Sequence, residues 1–139
     1  MSKNPKNLSF EFKRLADIMQ KLRGQDGCAW DKKQTHSSLV KYLFEEAKEV
    51  RLAVRRRDWV NLEEELGDIL LQVVFHSQIA KENGNFELKD VVRGICDKLV
   101  RRHPHVFGGK KVKSTKDILK QWDEIKRLEK IKLGKIKKN

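Results

Sequence analysis

Three glutamates, Glu45, Glu46 and Glu49, stand in one short segment, and Glu65 and Asp68 follow sixteen residues after it. Apolar residues recur at helical spacing through both segments, so five carboxylates sit on two successive helices. Such a cluster repels itself unless cations neutralise it, here within a chain of net charge +12. Divalent metal is therefore the first expectation, and metal held by carboxylates commonly serves phosphate chemistry. At about 100° per residue, Leu39, Leu43, Ala47, Val50 and Val54 form an apolar arc on the first of these helices. Glu46 falls inside that arc, Glu49 on its edge and Glu45 just outside.

The following helix is apolar nearly all round from Leu66 to Phe75, as expected of a helix enclosed by neighbours. Its main polar line runs through Glu65, Asp68, Gln72 and His76. Buried carboxylates without partners are costly, so the line needs a purpose. If it faces Glu46 and Glu49, four carboxylates converge on a point suited to Mg²⁺. Oxygen-only ligation favours Mg²⁺ or Mn²⁺ over zinc. The plainer alternative is a solvated acidic face, with Lys41, Lys48 and Arg51 pairing along it. His36, His76, His103 and His105 fit no histidine-based metal site at helical spacing and are expected in loops, at edges or in the core.

Five main helices must position these groups. Ser9 is the expected cap of the first, carrying Phe12, Leu15, Ile18, Met19 and Leu22 and stopping near Gly24. Residues 24–34 are expected as a loop. Thr35 caps the second helix, which runs to about Arg57, and Asp58 caps the third, which ends near Asn83-Gly84. The fourth spans about 88–102, and HPHVFGGKKVK is expected as a second loop. Ser114, with Asp117 three residues on, opens the fifth through Trp122, Ile125 and Leu128. No segment alternates with period two for long. The fold class is therefore all-α, packed as a helical bundle.

At 139 residues the chain suits one domain, expected over 1–130 with a Lys-rich, flexible tail at 131–139. No apolar run approaches the roughly 20 residues that cross a bilayer, and no signal-peptide core precedes Ser9. Cys28 and Cys96 match no metal or redox spacing, which points to free thiols and a cytoplasmic protein. Residues 110–139 hold 12 Lys/Arg against 4 Asp/Glu, so the positive charge concentrates at that end. Gly108-Gly109 lacks the spacing of a P-loop.

The sequence resembles the MazG-type nucleoside triphosphate pyrophosphohydrolases of the all-α NTP pyrophosphatase superfamily. The stretch LADIMQKLRGQDGCAWDKKQTHSSLVKYLFEEAKEV is similar to the family's N-terminal block. EELGDILLQVVFHSQIA, KLVRRHPHVFGG and WDEIKRLEK are similar to its later blocks, and together they cover about residues 12–130. Four blocks in order make a specific match. Ala29 departs from it, standing where the family usually has proline.

Several functional expectations rest on this resemblance. It implies metal ligation by Glu46, Glu49, Glu65 and Asp68, with Glu45 an outer partner or an orienter of water. It implies nucleotide contact by Lys98, Arg102, Trp122 and Lys126, and assembly as a homodimer or larger. The implied reaction is Mg²⁺-dependent hydrolysis of a nucleoside triphosphate between its α and β phosphates. Related folds act on dUTP, dCTP or phosphoribosyl-ATP, and membrane partners are not expected. The rival is a non-catalytic regulatory or nucleic-acid-binding module using the basic C-terminal end. That rival leaves the acidic cluster unexplained.

Overall fold

The computed structural model describes residues 7–134, and all its regular elements there are helices. They are α1 (Leu8–Leu22), α2 (Ala29–Lys33), α3 (His36–Arg56), α4 (Trp59–Glu82), α5 (Leu88–Arg102), α6 (Pro104–Phe107) and α7 (Thr115–Lys132). The chain divides into two compact units, Met1–Val91 and Val92–Asn139, with α5 crossing the boundary. The expected all-α class holds. None of the described helices is long and apolar enough to cross a membrane.

Capping chemistry explains most helix starts. Thr35 Oγ1 accepts from Ser38 N while Ser38 Oγ accepts from Thr35 N, a reciprocal box at the head of α3. Asp58 caps α4 by accepting from Asn61 N, and Ser114 caps α7 by accepting from Asp117 N. The start of α1 differs from expectation: Asn7 Oδ1 accepts from Phe10 N, and Ser9 lies inside the helix, donating to the same oxygen. Asn competes as well as Ser for an N-cap, and spacing alone did not separate them.

Both expected loops contain a short helix. The one-turn α2 and α6 are too brief to leave a periodic apolar signature. Pro104 starts α6, where its missing N–H is harmless. Gly27 is required by the first loop, because a Cβ there would meet the Leu22 carbonyl oxygen at 2.1 Å. Residues Ile131 and Lys132 of the expected tail belong to α7, and residues 135–139 lie outside the described part.

In the first unit α3 and α4 form an antiparallel hairpin, turned at Arg57 (φ 53°) and Asp58. The direction follows from two contacts: Glu46 meets Glu65 and Asp68, whereas His36 meets His76. Met19 of α1, Leu39 of α3, and Val74, Phe75 and Ile79 of α4 make the core, flanked by Leu15, Leu22, Tyr42, Leu71 and Leu88. Arg23 ties the surrounding elements together. Its guanidinium donates to the carbonyls of Asp31 and Gln34 and to both carboxylate oxygens of Glu82. That fork holds the Glu82 carboxyl below its usual pKa.

The expectation that α4 is enclosed needs correction for the single chain. Leu66, Leu70 and Val73 are 51%, 38% and 38% exposed. Val40, Leu43 and Phe44 of α3 are exposed as well. The hairpin has one buried side and one open apolar side.

Candidate functional site

α3 and α4 carry their acidic residues into the seam of the hairpin. One carboxylate oxygen from each of Glu46, Glu65 and Asp68 lies within 4.8 Å of the others. Glu65 is buried, and Glu46 and Asp68 are half-buried. Spacing of three residues on α4 puts Glu65 and Asp68 on one face, and Glu46 reaches them from the apolar arc of α3.

The electrostatics follow from this crowding. Burial, with Glu65 and Asp68 alongside, pushes the Glu46 carboxyl up to about 7. Its Oε2 is buried and accepts no hydrogen bond. A divalent cation with oxygen ligands would satisfy that orphaned oxygen and cancel the repulsion, so the donor set fits Mg²⁺ or Mn²⁺.

The other acidic candidates lie outside this group. Glu49 is exposed, three residues beyond Glu46 and so about 60° round α3. Glu45 is also exposed. Thus the structure gathers three of the four expected ligands.

The basic and aromatic candidates belong to the second unit. Lys98 and Arg102 are half-buried on α5, while on α7 Trp122 is half-buried and Lys126 exposed. Trp122 Nε1 donates to the Arg102 carbonyl, and the His103 ring meets the indole at 75°. Arg102 donates to Glu129, as does Arg101. These two guanidiniums, Arg102 foremost, hold the Glu129 carboxyl down to about 2. Nothing in the sequence marks Glu129 as their anchor, because an acidic residue in a basic helix carries no distinguishing spacing.

Sequence reasoning also missed the pairing of two histidines. His36 and His76 bring their Nδ1 atoms to 2.8 Å with rings nearly parallel. Burial, then the neighbouring His36, holds the His76 pKa below its ordinary value. The only available signal was that His76 ends the polar line of α4.

A helical hairpin that pools carboxylates from both arms into one oxygen-only cluster defines the class of protein: an all-α fold with a group that could hold a metal ion. Comparison with known proteins narrows it. Residues 34–107, more than half the chain, match the MazG nucleotide pyrophosphohydrolase domain, and the chain belongs to that family.

Its relatives are mostly longer proteins. It is 52% identical to the nucleoside triphosphate pyrophosphohydrolase/pyrophosphatase MazG of Thermotoga maritima, over 86% of this chain and 45% of that one. It is 46% identical to the nucleoside triphosphate pyrophosphohydrolase of Escherichia coli K12, over 81% of this chain and 43% of that one. It is 48% identical to the uncharacterized protein YabN of Bacillus subtilis, over 92% of this chain and 26% of that one. The chain thus spans between a quarter and a half of these relatives. The crystal structure of a mazG-related protein from Thermotoga maritima superposes with a TM-score of 0.69 at 31% identity, covering 83% of this chain and 98% of that one.

Proposed function

We propose that this chain hydrolyses nucleoside triphosphates between the α and β phosphates, releasing a nucleoside monophosphate and pyrophosphate, with Mg²⁺ or Mn²⁺ as cofactor. The observation that carries the reading is the meeting of Glu46, Glu65 and Asp68 around an unpartnered, buried Glu46 oxygen. Family membership supplies the substrate class. Glu46, Glu65 and Asp68 would hold the metal, with Glu49 completing the set that the resemblance implies. When bound, the metal supplies charge neutralisation at the phosphates and a more acidic water. Glu45 keeps the role the resemblance implies, an outer partner or an orienter of water. Water would add across the α–β bridge, its hydroxyl going to phosphorus and its proton to a carboxylate of the cluster and on to solvent, as the bridge breaks and pyrophosphate leaves.

Lys98, Arg102 and Lys126 carry charge suited to a polyphosphate, and Trp122 an aromatic face suited to a base. Their role in nucleotide contact rests on the resemblance. The free thiols of Cys28 and Cys96 suit a reducing, cytoplasmic setting. The open apolar side of the α3–α4 hairpin supports assembly with a second copy.

The test is a panel of ribo- and deoxynucleoside triphosphates with and without Mg²⁺, resolving every phosphate product. Monophosphate plus pyrophosphate, only with metal, is the expected result. Diphosphate plus orthophosphate, or turnover that ignores chelator, would overturn it.

A further inference from the structure

The polar line of α4 carries a residue that the proposed metal chemistry leaves unused. Gln72 lies four residues beyond Asp68 and four before His76, on one helical face. At one end of this line Glu65 and Asp68 meet Glu46 of α3; at the other His76 meets His36 of the same helix. Gln72 sits between two points where α4 touches α3, so it looks into the hairpin seam. It is 7% exposed, and its side-chain carbonyl Oε1 is buried without a donor. The core residues of α3 between those contacts are Leu39 and Tyr42, and neither satisfies it.

An orphaned buried carbonyl is destabilising, and apolar side chains fill the same kind of space elsewhere in this core. Among the described residues of the first unit the other side-chain atom so placed is Glu46 Oε2, in the acidic cluster. The two acceptors call for different partners. The carboxylate suits a cation, whereas a neutral amide carbonyl suits an N–H or O–H donor. A phosphate ionised at its oxygens offers none. Asp68 and Gln72 are one turn apart, about 6 Å along α4. A nucleotide whose phosphates lie at the acidic cluster has its sugar and base about that far away.

We propose that Gln72 is a specificity-determining residue, its amide carbonyl accepting a hydrogen bond from the nucleoside part of the substrate. This rests on the reading of the site as a nucleotide pyrophosphohydrolase. The donor is a sugar hydroxyl or a base N–H, and two sets of ligands separate them. Non-hydrolysable α,β-methylene analogues are titrated with Mg²⁺ into wild type, Gln72→Leu and Gln72→Glu, and turnover of the parent triphosphates is followed in parallel. One set varies the sugar through ribo, deoxy and dideoxy forms; the other varies the base.

For Gln72→Leu the expected result is roughly tenfold weaker binding of the preferred nucleotide, the size of one neutral hydrogen bond, with KM rising and kcat little changed. The loss vanishes for ligands lacking the donor, and Gln72→Glu retains more affinity than Gln72→Leu. A sugar donor shows as a loss that disappears in the dideoxy form; a base donor shows as one that follows the base. Equal weakening across every ligand, or a lowered melting temperature with unchanged discrimination, would assign Gln72 a packing role and overturn the proposal. If wild type turns over its substrates and the variants keep its pattern, this assignment alone falls. If wild type neither binds nor hydrolyses nucleotides, the functional reading falls with it.

Discussion

At the scale of single residues, the site is a conflict between three carboxylates that a proton or a cation would relieve. Glu46 bears most of it, since its carboxyl is pushed up to about 7 by burial and by Glu65 and Asp68. Glu46→Gln should therefore separate stability from activity. Removing the charge relieves the repulsion in metal-free protein, so its melting temperature should rise by a few degrees, about 1 kcal/mol in a domain of this size. Adding Mg²⁺ should then stabilise wild type but hardly the variant, and turnover should fall at least a hundredfold. Metal-titrated thermal melts beside product assays would check this; equal stabilisation of both by Mg²⁺ would remove Glu46 from the ligand set. The position of Glu46 was legible in the sequence because an acidic residue inside an apolar arc has to meet something. Glu49 sat on the edge of that arc, and in the structure it is exposed. Helical angles fix which face a residue takes, but not how far its side chain reaches.

At the scale of elements, α3, α4 and α7 announced themselves through Thr35, Asp58 and Ser114, whose side chains each hold a helix-start N–H. What stayed hidden were contacts between elements far apart in sequence. Arg23 gripping Glu82 and Glu129 gripping Arg101 and Arg102 depend on packing that no local pattern encodes. The second contact predicts an acid response. Glu129 has a folded pKa near 2 against an ordinary 4.5. A depressed carboxyl stabilises the fold above its unfolded pKa and loses that contribution as pH falls toward the folded value. The second unit should thus weaken progressively from about pH 4.5 down to 2. Glu129→Gln should lose about 1 kcal/mol at pH 7, the scale of a partly exposed ion pair, and show a flatter acid profile. Trp122 reports this contact, because its indole N–H bonds the Arg102 carbonyl. Its fluorescence, followed with Trp30 and Trp59 replaced by Phe, gives the measurement. An acid midpoint unchanged by the substitution would show that Glu129 does not carry the response.

At the scale of the whole molecule, the apolar run of α4 and the open side it presents have one explanation in common. A helix that is apolar nearly all round is built to be covered, yet the chain buries only the side toward α1 and α3. Leu66, Leu70 and Val73 lie at helical spacing on α4 and are exposed, as are Val40, Leu43 and Phe44 of α3. Fully burying a leucine or phenylalanine contributes about 1.5–3 kcal/mol, and a two-fold interface would count each side chain twice. The sequence made α4 legible as an enclosed helix; it could not say which of its faces the chain itself leaves open. Light scattering should therefore find a dimer or larger assembly at micromolar concentration. Phe44→Lys with Leu70→Lys should convert it to a monomer, since two cations per chain would be desolvated in the interface. Both positions are already exposed in the single chain, so the substitutions spare its own core and the monomer should retain helical structure. Turnover should fall with assembly, because the same two helices carry Glu46, Glu65, Asp68 and the interface. A wild type that is monomeric and fully active would sever that link, leaving the apolar side of the hairpin for another partner.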